Sequence, residues 1–160
     1  MTDDTHPPSP DPATAGPHIL IDDRQDQPVD ADDLRALALA CLRGERLEAA
    51  ELSVSLVSDD EIADLHRRYL GEPGPTDVLS FGFDDADHRS PEGARVLGDV
   101  VIAPATAARN AREHGNDPTG EIRLLLAHGI LHLLGYDHDT DDARARMWER
   151  QEGYSGVRTP

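Results

Sequence analysis

Three histidines, His128, His132 and His138, recur in the spacing H-x3-H-x5-H. Residues four apart on a helix lie one above the other, with Cβ atoms about 5–6 Å apart, so His128 and His132 can aim two imidazoles at one ion. Gly135 then ends the helix, because glycine accepts the left-handed conformation that helix C-termini favour. The turn behind it lets His138 come back to the same point. Three neutral imidazoles with an open fourth position describe a catalytic zinc site better than a structural one. The expected cofactor is therefore zinc, one ion per chain, although nickel or cobalt would also accept three imidazoles.

The run from His128 to His138 matches the metzincin protease pattern H-E-x-x-H-x-x-G-x-x-H at its three histidines and its glycine, and departs from it at one place. Gly129 stands where those proteases carry the glutamate that acts as general base. Glycine has no group to accept a proton, so the spacing predicts a metal site without the usual means of peptide hydrolysis. Gly129→Glu would complete the metzincin pattern.

The helix that carries this motif should start at Asp117, as cap, with Pro118 in its first turn. Ile122, Leu124, Leu125, Leu126, Ile130, Leu131, Leu133 and Leu134 nearly surround it, which predicts a buried helix and a rigid platform for ligands. Upstream, His18–Asp22 reads as a first strand. Asp30 caps a helix to about Leu42, and Leu52, Val54 and Leu56 alternate with serines as in a half-buried strand. Ser58-Asp59-Asp60-Glu61 is a capping box that opens a helix with Ile62, Leu65 and Tyr69 on one side. Gly71 to Pro75 must break it. Asp77–Phe83 reads as a strand with Leu79, Phe81 and Phe83 on one face, Asp84–Ala94 as a loop, and Val96–Ile102 as a fourth strand interrupted at Gly98-Asp99. Pro104 begins an alanine-rich helix, and a last helix runs from about Asp141 to Gln151. The order of elements predicts a single α+β domain with a small mixed four-stranded sheet and about five helices. It spans residues 18–152, between a disordered acidic and proline-rich tail at 1–17 and a flexible tail at 153–160.

The 160 residues suffice for one domain with a real core. Cys41 is the sole cysteine, so no internal disulfide can form, and its spacing from Leu34 and Leu37 marks it as a buried small hydrophobe. No apolar run is long enough to span a membrane, and the N-terminus lacks the basic start and apolar core of a secretory signal; the expected location is cytoplasmic. Thirty-two acidic residues face fifteen basic ones, all arginine, for a net charge of −17. A GC-rich genome and adaptation to a salty cytoplasm each account for this. Either way, bulk charge shows no basic groove for nucleic acid.

The chain resembles the YbeY family of bacterial zinc-dependent endoribonucleases, which are linked to 16S rRNA maturation and ribosome quality control. Three blocks carry the resemblance, in the expected order: Pro75-Thr76-Asp77-Val78-Leu79-Ser80-Phe81, Leu97-Gly98-Asp99-Val100-Val101, and His128-Gly129-Ile130-Leu131-His132-Leu133-Leu134-Gly135-Tyr136-Asp137-His138. The resemblance covers residues 18–152. It implies zinc held by His128, His132 and His138 in metzincin-like geometry on a buried helix, and RNA as partner, namely rRNA in the small ribosomal subunit. One departure stands out. Members often carry an arginine just after the tyrosine ahead of the Pro-Thr stretch, thought to aid RNA cleavage, and here that position is Leu70. Arg67 lies only about 60° around a helix from position 70 and is the candidate to replace it at the substrate.

Asp99, at an interruption in a strand, and Asp137, beside a ligand, are the candidate catalytic carboxylates. Asp137 could orient an imidazole or cap the turn after Gly135. Met147 reads as core and Trp148 as an anchor for the last helix. The reading that follows is a single-strand-specific zinc endoribonuclease acting in 16S rRNA 3′-end maturation and ribosome quality control. RNA supplies its own 2′-hydroxyl nucleophile, so the missing glutamate matters less than it would for peptides. The alternatives are a metallopeptidase with its base supplied from elsewhere, and a non-catalytic zinc-containing ribosome assembly factor.

Overall fold

The computed structural model describes residues 16–83 and 88–160. Most of the expected N-terminal tail (residues 1–15), and residues 84–87 of the expected Asp84–Ala94 loop, lie outside the described residues. The strands are β1 (His18–Asp23), β2 (Ala50–Leu56), β3 (Val78–Gly82) and β4 (Arg95–Ile102). The helices are α1 (Ala31–Gly44), α2 (Asp59–Leu70), α3 (Pro104–His114), α4 (Pro118–Leu133) and α5 (Asp141–Ser155). The sheet has the order β1-β2-β4-β3. β1, β2 and β4 run parallel and β3 is antiparallel to β4, giving the mixed α+β architecture that the sequence predicts.

Local chemistry sets the helix starts. Asp30 accepts from the Asp33 amide at 3.1 Å and Ser58 from the Glu61 amide at 3.2 Å, each satisfying a donor that a helix N-terminus leaves free. The capping box at Ser58 is only half formed, because Glu61 turns outward and accepts from Arg24 at 2.6 Å. Alternation along β2 sends Leu52, Val54 and Leu56 into the main core, against Leu34, Ala38 and Cys41 of α1 and Ile122, Leu126 and Ile130 of α4. Burial pushes the Cys41 thiol up to about 12, so it behaves as a packed apolar group. A smaller cluster (Val57, Ile62, Leu79, Val101 and Ala103) closes the other side of the sheet near α2.

The interruption expected in β4 is a bulge. Glu51 pairs with Val96 and Leu52 with Gly98, so Leu97 is the extra residue. Gly98 has φ +127°, and a Cβ there would lie 2.1 Å from the Phe81 carbonyl oxygen. Only glycine fits that approach.

Two boundaries differ from the sequence expectation. β3 stops at Gly82, and Phe83 leaves the strand to stack on His88 with ring centroids 4.0 Å apart. The last helix does not stop at Gln151. It continues through Gly153 to Ser155, and Gly156 caps it at φ +73°. Residues 153–160 are therefore not simply a loose tail: Ser155 is buried, and Gln151 Nε2 donates to Thr159 Oγ1 at 2.9 Å.

Candidate metal centre

α4 crosses the middle of the molecule between α3, α5, α1 and the sheet. Asp117 caps it, accepting from the Gly120 amide at 2.7 Å, with Pro118 at the first helical position. It ends in a Schellman turn: the Tyr136 amide donates to Leu131 O at 3.0 Å and the Gly135 amide to His132 O at 3.1 Å, with Gly135 at φ +100°. That reversal sends the chain back and brings His138 beside His128.

Glu45, just past the end of α1, fastens the turn. Its side chain is 9% exposed and accepts from Tyr136 Oη at 2.6 Å, from Tyr154 Oη, and from Arg150 at 3.4 Å. Burial and the bond to Glu45 push the Tyr154 hydroxyl up to about 12, so both phenols stay protonated donors at neutral pH. Glu45 thus ties α1, α5 and the histidine turn together two residues before His138.

The three imidazoles line one pocket of about 440 Å³, together with Tyr69, Leu70, Val78, Leu79, Ser80 and Phe81. The His128 ring lies 6.4 Å from the His132 ring and 5.8 Å from the His138 ring, centroid to centroid. Gln151, buried on α5, accepts from His128 Nδ1 at 2.9 Å. This fixes the tautomer and leaves Nε2 as the free lone pair. Trp148 packs against the site, its ring 6.0 Å from His128 and 5.7 Å from His138. Burial lowers the proton affinity of His128, opposed by the Gln151 bond and reinforced by the neighbouring His132 and His138, so the neutral form that binds metals is favoured.

Among the described residues, no three His, Cys, Asp or Glu side chains are already drawn into metal-holding geometry. Tetrahedral zinc with nitrogens at about 2.0–2.1 Å would put imidazole centroids about 5 Å apart, so these rings stand roughly an ångström too wide. The donor set fits nonetheless: His128 is anchored in the correct tautomer, and His132 and His138 are exposed on the same pocket. The sequence predicts a zinc site on a buried helix; α4 is that buried helix, although no metal-holding cluster is formed among the described residues. His128 is half-buried on α4, whereas His132 near its C-terminal end and His138 beyond the turn are exposed.

The other candidate residues lie apart from the pocket lining. Asp99 is exposed on β4 opposite Phe81 and Ser53. The Asp137 carboxylate accepts from the His138 amide at 2.7 Å, serving the turn and not an imidazole ring. Arg67 pairs with Asp64 at 2.7 Å. Leu70, by contrast, is 57% exposed and lines the pocket, as does Tyr69. His66 is half-buried and holds the loop beyond α2, bonding Gly74 O at 3.0 Å and Glu72 at 2.9 Å. Met147 is fully buried, as expected of core. Sequence reasoning missed Gln151 and Glu45. Both act across long sequence separations, and their one local signal is a polar side chain on an otherwise inward-facing position.

Gly129 has a reason of its own. A Cβ there would sit 2.7 Å from Val100 Cγ1 and 3.2 Å from Ser80 Oγ. Its carbonyl accepts from Ser80 Oγ at 3.3 Å. The residue lets α4 press against β3 and β4, so Gly129→Glu would disturb the packing instead of completing a protease site.

A family model described as "Endoribonuclease YbeY" matches residues 20–156. Curated relatives that bear the same name include a Thermobifida fusca protein, 49% identical over 129 residues (78% of this chain, 83% of that one). Another, from Frankia alni, is 47% identical over 131 residues (76% of this chain, 72% of that one). Among solved structures, the solution structure of a Thermotoga maritima protein aligns with a TM-score of 0.62 at 30% identity, covering 86% of each chain.

Proposed function

The chain belongs to the YbeY endoribonuclease family, and from that premise we propose that it is a zinc-dependent hydrolase of single-stranded RNA, acting in the cytoplasm on the 3′ end of 16S rRNA and in ribosome quality control. The observation that carries the zinc reading is the gathering of His128, His132 and His138 around one open pocket, with His128 held in the ligating tautomer by Gln151. His128 would supply the donor that Gln151 orients, and His132 and His138 the other two. A zinc ion held there would supply Lewis-acid activation of water and of a phosphoryl oxygen.

The protein's own contribution is placement. Glu45 and Tyr136 set where His138 returns, and Gln151 sets the His128 ring. Trp148 packs beside His128 and His138. No carboxylate lines the pocket among the described residues, and Gly129 has no room for one. Peptide hydrolysis, which needs such a base, is therefore the weaker reading. RNA brings its 2′-hydroxyl as internal nucleophile: its attack on the adjacent phosphorus expels the 5′-oxygen and leaves a 2′,3′-cyclic phosphate for water to open, which asks less of the protein. Purified protein should cleave single-stranded rRNA fragments in a chelator-sensitive way and leave casein intact. Chelator-sensitive digestion of casein without RNA cleavage would overturn the proposal.

A further inference from the structure

The pocket beside the histidines has an unusual wall for a site that meets a polyanion. No arginine lines it among the described residues. The rim is instead formed by Tyr69, 61% exposed, and Leu70, 57% exposed. Both side chains open onto the same pocket as the three imidazoles. Tyr69 also has an aromatic neighbour behind it. Its ring meets Phe81 edge-on, with centroids 5.3 Å apart and planes at 64°. It sits in the last turn of α2, which Gly71 caps, and His66 fastens the following loop through Gly74 and Glu72. The Arg68 guanidinium carbon lies 5.9 Å from the Tyr69 ring centre.

We infer that Tyr69, backed by Phe81, is a stacking platform for an unpaired nucleobase next to the phosphate presented to the histidines. The inference rests on the endoribonuclease reading above. An exposed aromatic, backed by a second ring and in the same pocket as the reacting groups, is the arrangement by which proteins grip single strands independently of sequence. It suits this chain because a phosphate-gripping groove would have to work against a net charge of −17, whereas stacking on a π-face depends little on phosphate charge; Arg68 lies over the Tyr69 ring and leaves its other face for the base. A base within a duplex has both faces covered and cannot use the platform, so Tyr69 also selects for unpaired RNA. Leu70 lines the same pocket beside Tyr69 and adds apolar surface next to the platform.

The test uses the full-length zinc-loaded protein and a short single-stranded oligoribonucleotide with one internal 2-aminopurine, whose fluorescence is quenched by stacking. Tyr69→Ala, Tyr69→Phe and Tyr69→Leu are compared with the unmodified protein for binding, KM and kcat. Tyr69 is exposed, so these substitutions leave the core untouched. Loss of one base stack should weaken binding and raise KM about 5- to 150-fold in Tyr69→Ala, with kcat changed less than about two-fold. Tyr69→Phe should retain quenching and affinity, and Tyr69→Leu should fail like alanine. If the unmodified protein binds and cleaves RNA but Tyr69→Ala matches it, or leucine substitutes as well as phenylalanine, the platform is refuted while the nuclease reading stands. If the unmodified protein neither binds nor cleaves RNA, the nuclease reading falls and takes the platform with it.

Discussion

Substituting Gly129 tests how closely α4 approaches the sheet. Two effects of opposite sign compete in Gly129→Ala. In mid-helix, alanine is favoured over glycine by about 1 kcal/mol. The new Cβ, however, would lie 2.7 Å from Val100 Cγ1 and 3.2 Å from both Val100 Cγ2 and Ser80 Oγ. Carbon atoms prefer about 3.5–4.0 Å, so the nearest contact is roughly 1 Å too short. Val100 is fully buried on a central strand, and a β-branched side chain has little rotameric freedom to yield. Overpacking of this kind costs about 1–3 kcal/mol, and the helix gain offsets about 1 of it. The expected net loss is about 0–2 kcal/mol, or a fall in Tm of up to about 8 °C at this chain length. Gly129→Glu adds a carboxylate in a buried apolar contact, so the loss should exceed about 4 kcal/mol. Urea denaturation measures both. Val100→Ala should relieve part of the alanine penalty, a coupling of about 0.5–3 kcal/mol in a double-mutant cycle. A Gly129→Ala protein more stable than the unmodified one, or a Gly129→Glu protein that folds normally and digests peptides, would refute the packing argument.

Other perturbations test the shell around the histidines. Glu45→Ala removes the acceptor of two phenols and Arg150, and should cost about 1–3 kcal/mol in urea denaturation. It should also weaken zinc about 10- to 100-fold in a competitive chelator titration; unchanged zinc affinity would reduce Glu45 to a purely structural tie. Burial holds His128 below its ordinary value of 6.5, so the unfolded chain takes up that proton first as the pH falls. In metal-free protein the stability this group contributes is full above about pH 6.5 and is lost as pH falls through the lower, folded value. His128→Gln should flatten that part of the pH–stability curve, and an unchanged slope would remove burial of His128 as its cause. RNA affinity should hold or rise between low and molar salt, because the net charge of −17 repels a polyanion until it is screened. A steep loss over that range, the usual result of counterion release, would reveal a local basic groove.

What could be read from the sequence was what neighbouring residues decide among themselves. Asp30, Ser58 and Asp117 announce helix starts because each satisfies an amide three residues away. Gly135 announces the turn because the left-handed cap is a local requirement. Even the three-histidine pocket was legible, since two ligands share one helix face and the third follows one tight turn. The missed features depend on chain segments distant in sequence. Glu45 meets Tyr136 and Tyr154 across 91 and 109 residues, and Gln151 reaches His128 across 23. Gln151 read as the end of α5, with Gly153 opening a tail, yet the helix runs on to the buried Ser155 and Gly156 supplies the cap. Arg67 was placed near position 70 by helix geometry alone, which could not show that Asp64 on the same helix already pairs with it.

Zinc titration into metal-free protein, with RNA cleavage followed in the same sample, tests the central claim most directly. The unmodified chain should bind one equivalent, and cleavage should rise in step with occupancy. His132→Ala should bind no stoichiometric zinc and lose cleavage, while its apo form stays folded because His132 is exposed. A His132→Ala protein that keeps a full equivalent of zinc, or cleavage that persists in metal-free protein, would contradict the account.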